Sequence, residues 1–374
     1  MPGLLPDVDP DGLLEYSVVY TDRSLNHMSQ RFQGVMRDVS ATLKRVYRAR
    51  SVAIVPGSGT FGMEAVARQF ATNQHCLIVR NGQFSYRWSQ ILEMGAIATS
   101  TTVLKARRLD PQDDRSPFAP APIEEVERTI REERPGVVFA PHVETSAGLL
   151  LPDDYLRRVA AAAHEVGGLF VLDCIASGTL WVDMQEIGVD VLVSAPQKGW
   201  SGLPCCGMVM LSERARARIE ETVSTSFACD LRKWLWIMET YENGGHAYYA
   251  TLPTDGLARL RDIMHETAEY GFDKVREEQW ALGCGVRELL ARYGYRSVSA
   301  PGFEAPGVVV CYSDDPGIVA KFAAAGVQVA GGVPLMCDEG ENYQAFRIGL
   351  FGLDKLHETE RSLANLEAAL KQVG

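Results

Sequence analysis

Val189-Asp190-Val191-Leu192-Val193-Ser194-Ala195-Pro196-Gln197-Lys198 is the stretch whose reading decides the fold of this chain. Its apolar, β-branched first half has the make-up of a strand, and a lysine stands just past the end of it. Upstream, Leu169-Phe170-Val171-Leu172 is closed in the same way by Asp173. An acid and a lysine, each placed after a β-like run, are what a pyridoxal-phosphate site requires. The lysine holds the cofactor aldehyde as a Schiff base, and the carboxylate keeps the pyridine nitrogen protonated so that the ring accepts electrons. Surface Asp and Lys residues are common, so the rest of the sequence has to carry the case.

Working outward, short apolar runs at 52–55, 76–79, 137–140, 169–173, 189–194 and 207–211 read as strands. Helical stretches lie between most of them, for instance 123–134 and 153–166, the second opening on Pro152-Asp153-Asp154. That alternation predicts an α/β protein with a mainly parallel sheet covered on both faces. A long helical region follows at 254–293, with a break near Gly271. Then come strands at 308–312, 327–330 and 346–350, a helix ending near Ala325, and a closing helix to Val373. The expected organisation is an extended arm at 1–15, a large domain at 16–268 and a smaller C-terminal α/β domain at 269–374, which suits a chain of 374 residues.

Gly57-Ser58-Gly59-Thr60-Phe61-Gly62 follows the first strand and opens a helix. Backbone N–H groups at such a start form an anion site, and the hydroxyls add donors. The same letters satisfy the dinucleotide-binding pattern. Against that reading, no acidic residue closes the next strand to hold a ribose; Arg80, able to accept a 2′-phosphate, keeps NADP as an alternative. A single phosphate monoester fits better beside Asp173 and Lys198.

Bulk properties narrow the classes. A net charge of -11 and the lack of a basic stripe argue against nucleic acid as a partner. No apolar run is long enough to span a bilayer, and the first residues lack the pattern of a secretory signal. The 8 cysteines have no zinc-ligand spacing, so reduced thiols in a cytoplasmic protein are expected and no metal site is.

Six motifs in register carry a resemblance. Gly57-Ser58-Gly59-Thr60, Asn81-Gly82-Gln83-Phe84-Ser85-Tyr86-Arg87, His142-Val143-Glu144-Thr145-Ser146-Ala147-Gly148, Asp173-Cys174-Ile175-Ala176-Ser177, Ser194-Ala195-Pro196-Gln197-Lys198 and Phe346-Arg347-Ile348-Gly349-Leu350 occur in this order. Together they resemble the class V aminotransferases of pyridoxal-phosphate fold type I, in particular alanine–glyoxylate and serine–pyruvate aminotransferases. The resemblance implies a seven-stranded, mainly parallel sheet and amino transfer between a small amino acid and a 2-oxo acid. It also implies a homodimer with shared active sites. Ser58, Gly59, Thr60 and Gln197 are then phosphate donors, Phe84 and Ile175 sandwich the ring, and Thr145 or Ser146 donates to the ring hydroxyl. Asp173 and Lys198 are catalytic, and Arg347 binds the substrate carboxylate. Tyr248 and Thr251 belong to a loop that reaches the phosphate of the partner subunit, while His142 is expected to brace its turn.

Several departures bear on the substrate. Asn26-His27-Met28 has methionine where the family often has arginine, Pro196 precedes Gln197 where a small hydroxyl residue is usual, and Cys205-Cys206 follows the lysine turn. Trp234, Trp236 and Tyr241 suggest an unusually aromatic active-site mouth. The leading alternative is a lyase on the same cofactor, through β-elimination, retro-aldol cleavage or desulfurase chemistry with Cys337 as nucleophile. A non-catalytic relative is disfavoured by the intact Lys198.

Overall fold

The computed structural model describes residues 13–373, so most of the expected arm at 1–15 lies outside the described residues. Helix α1 (Gln30–Tyr47) is capped by Ser29, whose hydroxyl accepts the Phe32 N–H at 3.1 Å. It buries one stripe, Phe32, Val35, Met36, Val39 and Leu43. Strand and helix then alternate as β1 (Ser51–Pro56), α2 (Gly59–Phe70), β2 (His75–Arg80), α3 (Gln83–Met94) and β3 (Ser100–Lys105). There follow α4 (Ile123–Glu133), β4 (Val137–Pro141), α5 (Asp153–Glu165), β5 (Leu169–Asp173), β6 (Val191–Ser194) and β7 (Cys206–Leu211).

These strands form one 7-stranded sheet in the order β1-β7-β6-β5-β4-β2-β3. Strands β6, β5, β4, β2 and β3 pair in parallel, and only β7 runs against its two neighbours, β1 and β6. This is the α/β architecture expected from the sequence. Helices on both faces make β4 and β5 apolar and buried along their whole length. Strand β3 escapes the sequence pattern for the opposite reason. It reads Ser-Thr-Thr-Val-Leu-Lys, lies at the sheet edge and is only partly covered.

Helix α6 (Leu231–Glu242) corrects one expectation. Leu231, Trp234, Leu235, Met238 and Tyr241 recur at helical spacing and are buried, and the Tyr241 hydroxyl donates to His27 O at 2.9 Å. Trp234 and Tyr241 therefore belong to the main core, not to the active-site mouth. Trp236, on the opposite face, lines a separate surface groove with Arg216 and Arg232.

Past α6, helices α7 (Thr254–Tyr270) and α8 (Phe272–Arg292) are separated by Gly271 at φ 111°. Strands β8 (Val308–Tyr312), β9 (Ala330–Gly331) and β10 (Ala345–Gly349) then form a three-stranded antiparallel sheet, ordered β8-β10-β9, and α9 (Thr359–Val373) closes the chain. One hydrophobic core runs from Leu25 to Met264 and a second from Ile263 to Val373. A third cluster locks them together. It packs Val143, Ala147 and Leu149 against Val308, Val310 and Tyr312, and so fixes β10 relative to the large sheet.

Candidate active site

In parallel sheets, groups at the carboxyl ends of the strands face a common crevice. Four chain segments leave the sheet at that edge: Gly57–Thr60 after β1, the Val143–Gly148 turn after β4, Asp173 at the end of β5, and the lysine turn after β6. They converge on one cavity. Of the residues expected from the sequence, Ser58, Gly59, Thr60, Phe84, Thr145, Asp173, Ile175, Gln197 and Lys198 all line it.

Asp173 is buried, and its Oδ1 accepts the Ile175 N–H at 2.9 Å. Burial pushes its carboxyl up to about 7; Glu144 adds to this, while the Ile175 N–H, Arg87 and Lys198 pull the other way. Lys198 is shifted down, chiefly by burial and further by Arg347 and Arg87, against the pull of Asp173. The lysine turn is held from behind. Trp200 is fully buried, packs at a tilt against Trp181 with ring centres 4.6 Å apart and donates its Nε1–H to the Tyr47 hydroxyl at 3.3 Å.

The wall opposite is the start of α3, held by a carboxylate that the sequence reading does not single out. Glu144 is fully buried and accepts five hydrogen bonds. Its Oε1 takes the Phe84 N–H (3.1 Å), the Ser146 N–H (3.1 Å) and the Ser146 hydroxyl (2.6 Å). Its Oε2 takes the Ser85 N–H (2.9 Å) and the Ser85 hydroxyl (2.7 Å). Ser146 Oγ also accepts the Gln83 N–H at 2.9 Å. This corrects the expectation for Ser146: its hydroxyl is committed to the clamp behind the wall, and Thr145 is the residue of that pair at the cavity. Gly82 is required by the same contact, because a Cβ there would collide with Ser146 Oγ and the Glu144 side chain.

Arg347, on β10, donates its Nε–H to Gly331 O at 2.8 Å, and its guanidinium carbon lies 5.8 Å from the centre of the Phe84 ring. Arg87, also not singled out in sequence, lines the cavity directly. Tyr248 and Thr251 do not reach it within this chain. Tyr248 is exposed, with its hydroxyl 3.2 Å from Thr251 Oγ1 and its ring 5.5 Å from His27. His142 hydrogen-bonds Ser177 through Nδ1 at 2.8 Å, and its imidazole is held down to about 3 by burial, with Arg276 adding to it. A neutral brace is what that arrangement provides.

The residues fit pyridoxal phosphate. Gly59 is glycine because a Cβ would meet Ile175 Cδ1 at 2.6 Å, so the loop backbone approaches the space between Phe84 and Ile175 as a phosphate cradle must. A buried acid faces that space from one strand end and a buried amine from the next. Two of the alternatives, NADP binding through Arg80 and desulfurase chemistry through Cys337, lose their supports. Arg80 is buried and donates from its two terminal nitrogens to Ser89 Oγ (2.8 Å) and Met336 O (3.3 Å). Cys337 is buried, with its thiol pushed up to about 12 by burial and by Glu144 and Glu339, the reverse of a mobile nucleophile.

Comparison with known proteins agrees with this geometry. The class V aminotransferase family model matches residues 13–311. The chain belongs to the class V aminotransferase family. Among curated relatives, a 2-aminoethylphosphonate–pyruvate transaminase of Paraburkholderia xenovorans is 29% identical over 361 residues, covering 94% of this chain and 90% of that protein. Alanine–glyoxylate aminotransferase 1 of Saccharomyces cerevisiae is 27% identical, covering 88% and 86%. Among solved structures, an aspartate aminotransferase of subgroup IV from Thermus thermophilus has a TM-score of 0.77 at 22% identity, with 94% of each chain covered. An alanine–glyoxylate aminotransferase from Nostoc gives 0.76 at 21%, covering 93% and 88%. The fold is that of fold-type-I aminotransferases, and the enzyme class expected from the sequence, a pyridoxal-phosphate-dependent transferase, stands.

Proposed function

We propose that this class V aminotransferase moves an amino group between a small amino acid, alanine- or serine-like, and a small 2-oxo acid such as pyruvate or glyoxylate, using Lys198. The observation that carries the reading is the meeting of Lys198 and Asp173 in one cavity walled by Phe84 and Ile175. Pyridoxal 5′-phosphate, when bound, supplies an aldehyde for the substrate amine and a ring that withdraws electrons from its Cα.

The chain's own residues do the rest. Ser58, Gly59, Thr60 and Gln197 bind the phosphate, and Phe84 and Ile175 hold the ring flat. Thr145 serves the ring hydroxyl. Asp173 keeps a proton on the ring nitrogen, and the charge it meets there offsets the burial that now pushes its carboxyl up. Lys198 carries the proton to and from the substrate Cα; its lowered pKa favours the neutral amine that this task needs. Arg347 orients the substrate through its α-carboxylate. A second reading of the amino donor, a small aminophosphonate, is favoured by the Paraburkholderia relative and by the ability of a guanidinium fork to hold a phosphonate equally well.

The homodimer is part of the proposal. Phe61, Leu203 and Tyr248 are exposed apolar side chains beside or just past the phosphate loop, the lysine turn and the 240s loop. A two-fold partner would cover them and receive Tyr248 and Thr251 at its own phosphate. We also divide the chain at 16–268 and 269–374, as the two main cores suggest. All eight cysteines are free thiols, which suits the cytoplasm. Among the described residues no helix is long and apolar enough to cross a membrane.

The test is direct. Borohydride reduction of the purified protein followed by peptide mapping should find the pyridoxyl group on Lys198. Alanine, serine and 2-aminoethylphosphonate, each paired with pyruvate or glyoxylate, then identify the donor. A colourless protein that takes up no cofactor, or a label on another lysine, would sink the reading.

A further inference from the structure

We propose that Arg87 belongs to the phosphate cradle and supplies the positive charge that the cradle's other residues lack; this rests on the pyridoxal-phosphate reading above. Every residue assigned to the phosphate so far, from Ser58, Gly59, Thr60 and Gln197 to Tyr248 and Thr251, is neutral. A phosphate monoester carries close to two negative charges at neutral pH. The N-terminus of α2 offers only about half a unit of positive charge in return. A dianion drawn out of water against neutral donors alone is costly, so a cationic partner is called for.

Arg87 is placed to be that partner. It follows Phe84 by three residues on α3 and so lies on the same helix face. Its guanidinium carbon is 4.8 Å from the centre of the Phe84 ring, and its Nη1 lies 3.3 Å from Thr60 Oγ1. An anion that accepts a bond from Thr60 is therefore within reach of the same guanidinium. Arg87 lines the cavity together with Thr60 and Gln197. Among the described residues no carboxylate forms an ion pair with it, so its charge is unspent. That charge is already felt across the cavity, where it pulls both Asp173 and Lys198 downward. Lys198 cannot replace it, since its amine is required at the aldehyde. Arg347 does not line the cavity beside Thr60 and Gln197.

The test compares two aldehydes on the cofactor-free full-length protein. Pyridoxal phosphate and pyridoxal, which lacks the phosphate, are titrated by quenching of tryptophan fluorescence against the parent, Arg87→Gln and Arg87→Lys. In R87Q, affinity for pyridoxal phosphate should fall roughly 10- to 100-fold, the range for losing a charged hydrogen bond, while pyridoxal binding stays at the parental level. R87K, which keeps the charge and loses the fork, should fall in between. Inorganic phosphate should compete with pyridoxal phosphate less well in R87Q than in the parent. Equal losses for both aldehydes, or none for either, overturn the proposal. A parent protein that takes up neither aldehyde defeats the aminotransferase reading itself, whereas an R87Q that binds both like the parent defeats only the role of Arg87.

Discussion

Glu144→Gln preserves the shape of the buried clamp while removing its charge and one acceptor oxygen. The amide nitrogen must take the place of one carboxylate oxygen. At Oε1 it would face two backbone N–H groups, those of Phe84 and Ser146; at Oε2 it would face only that of Ser85. The second placement is the cheaper one. There the Ser85 hydroxyl turns to donate to Gly82 O, 3.0 Å away, while its oxygen keeps the Asn81 and Gly82 N–H groups it already accepts, and the Ser85 N–H is left pointing at a donor. An unsatisfied buried donor costs about 1–3 kcal/mol, and the bonds that lose their charge assistance cost about 1 kcal/mol each. Three such bonds remain on Oε1, so the sum is on the order of 4–6 kcal/mol. Three of the five donors, the Phe84 and Ser85 N–H groups and the Ser85 hydroxyl, lie in the first turn of α3, and the wall that carries Phe84 and Arg87 should loosen with them. Urea unfolding of the cofactor-free protein should show the loss, and a cofactor titration should show binding weakened by about tenfold or more. An E144Q protein that unfolds within about 0.5 kcal/mol of the parent and binds cofactor normally would mean that the clamp does not hold the wall.

Asp173→Asn should change how stability depends on pH. The folded carboxyl keeps its proton up to about 7 whereas the unfolded one releases it near 3.8, so between those values the folded chain binds more protons. The cofactor-free parent then loses stability as pH rises through that window, by on the order of 4 kcal/mol, and D173N should lack this fall. His142, held down to about 3, contributes the opposite slope up to about 6.5, so the difference between the two proteins is the informative quantity. A parent-minus-variant curve that is flat from pH 4 to 7 would contradict the burial of Asp173. Arg347→Lys should raise KM for both amino acid and 2-oxo acid by roughly 10-fold or more without releasing cofactor; unchanged KM values would remove the carboxylate role. Sedimentation should find a dimer in the active protein, and an active monomer would rule out shared sites.

Legibility in the sequence followed the range of the interactions. Strands buried on both faces show as continuous apolar runs, and Asp173 and Lys198 are visible because each stands directly after one. Strand β3 is half-covered at an edge, and its Ser-Thr-Thr start hides it. The helix carrying Trp234 and Tyr241 was open to a better reading, since its apolar residues keep the three- and four-residue spacing of a core stripe. Glu144 is different in kind. Its α3 partners lie about sixty positions away, and only the packing of β4 beside β2 brings them together. Ser146 looks like a cofactor donor from its motif because the same long-range clamp, which claims its hydroxyl, leaves no local mark. Tyr248 and Thr251 do not reach the cavity of their own chain, so their expected role stands or falls with the proposed dimer.

The charge pattern of the cavity ties these residues to the chemistry. The chain as a whole carries a net charge of -11, yet Arg87 lines one small cavity and Arg347 acts on its Lys198 from beside it, while the acids felt there are Asp173 and Glu144. Glu144 is surrounded by five donors and turned to the back of the wall, and burial raises Asp173 toward its neutral form. The face presented to a ligand is therefore positive inside a negative molecule. A concave site of that kind focuses potential on anions and repels cations. The proposed cofactor carries a phosphate, and amino acids, 2-oxo acids and aminophosphonates all carry an acidic group. A simple amine offers nothing to Arg347, so it should react poorly even if its amine reaches the aldehyde. Burial lowers the pKa of Lys198 and the charges of Arg347 and Arg87 lower it further; a ligand anion offsets that second part. Binding of the anionic cofactor and substrate is thus coupled to the protonation of the residue that moves the proton.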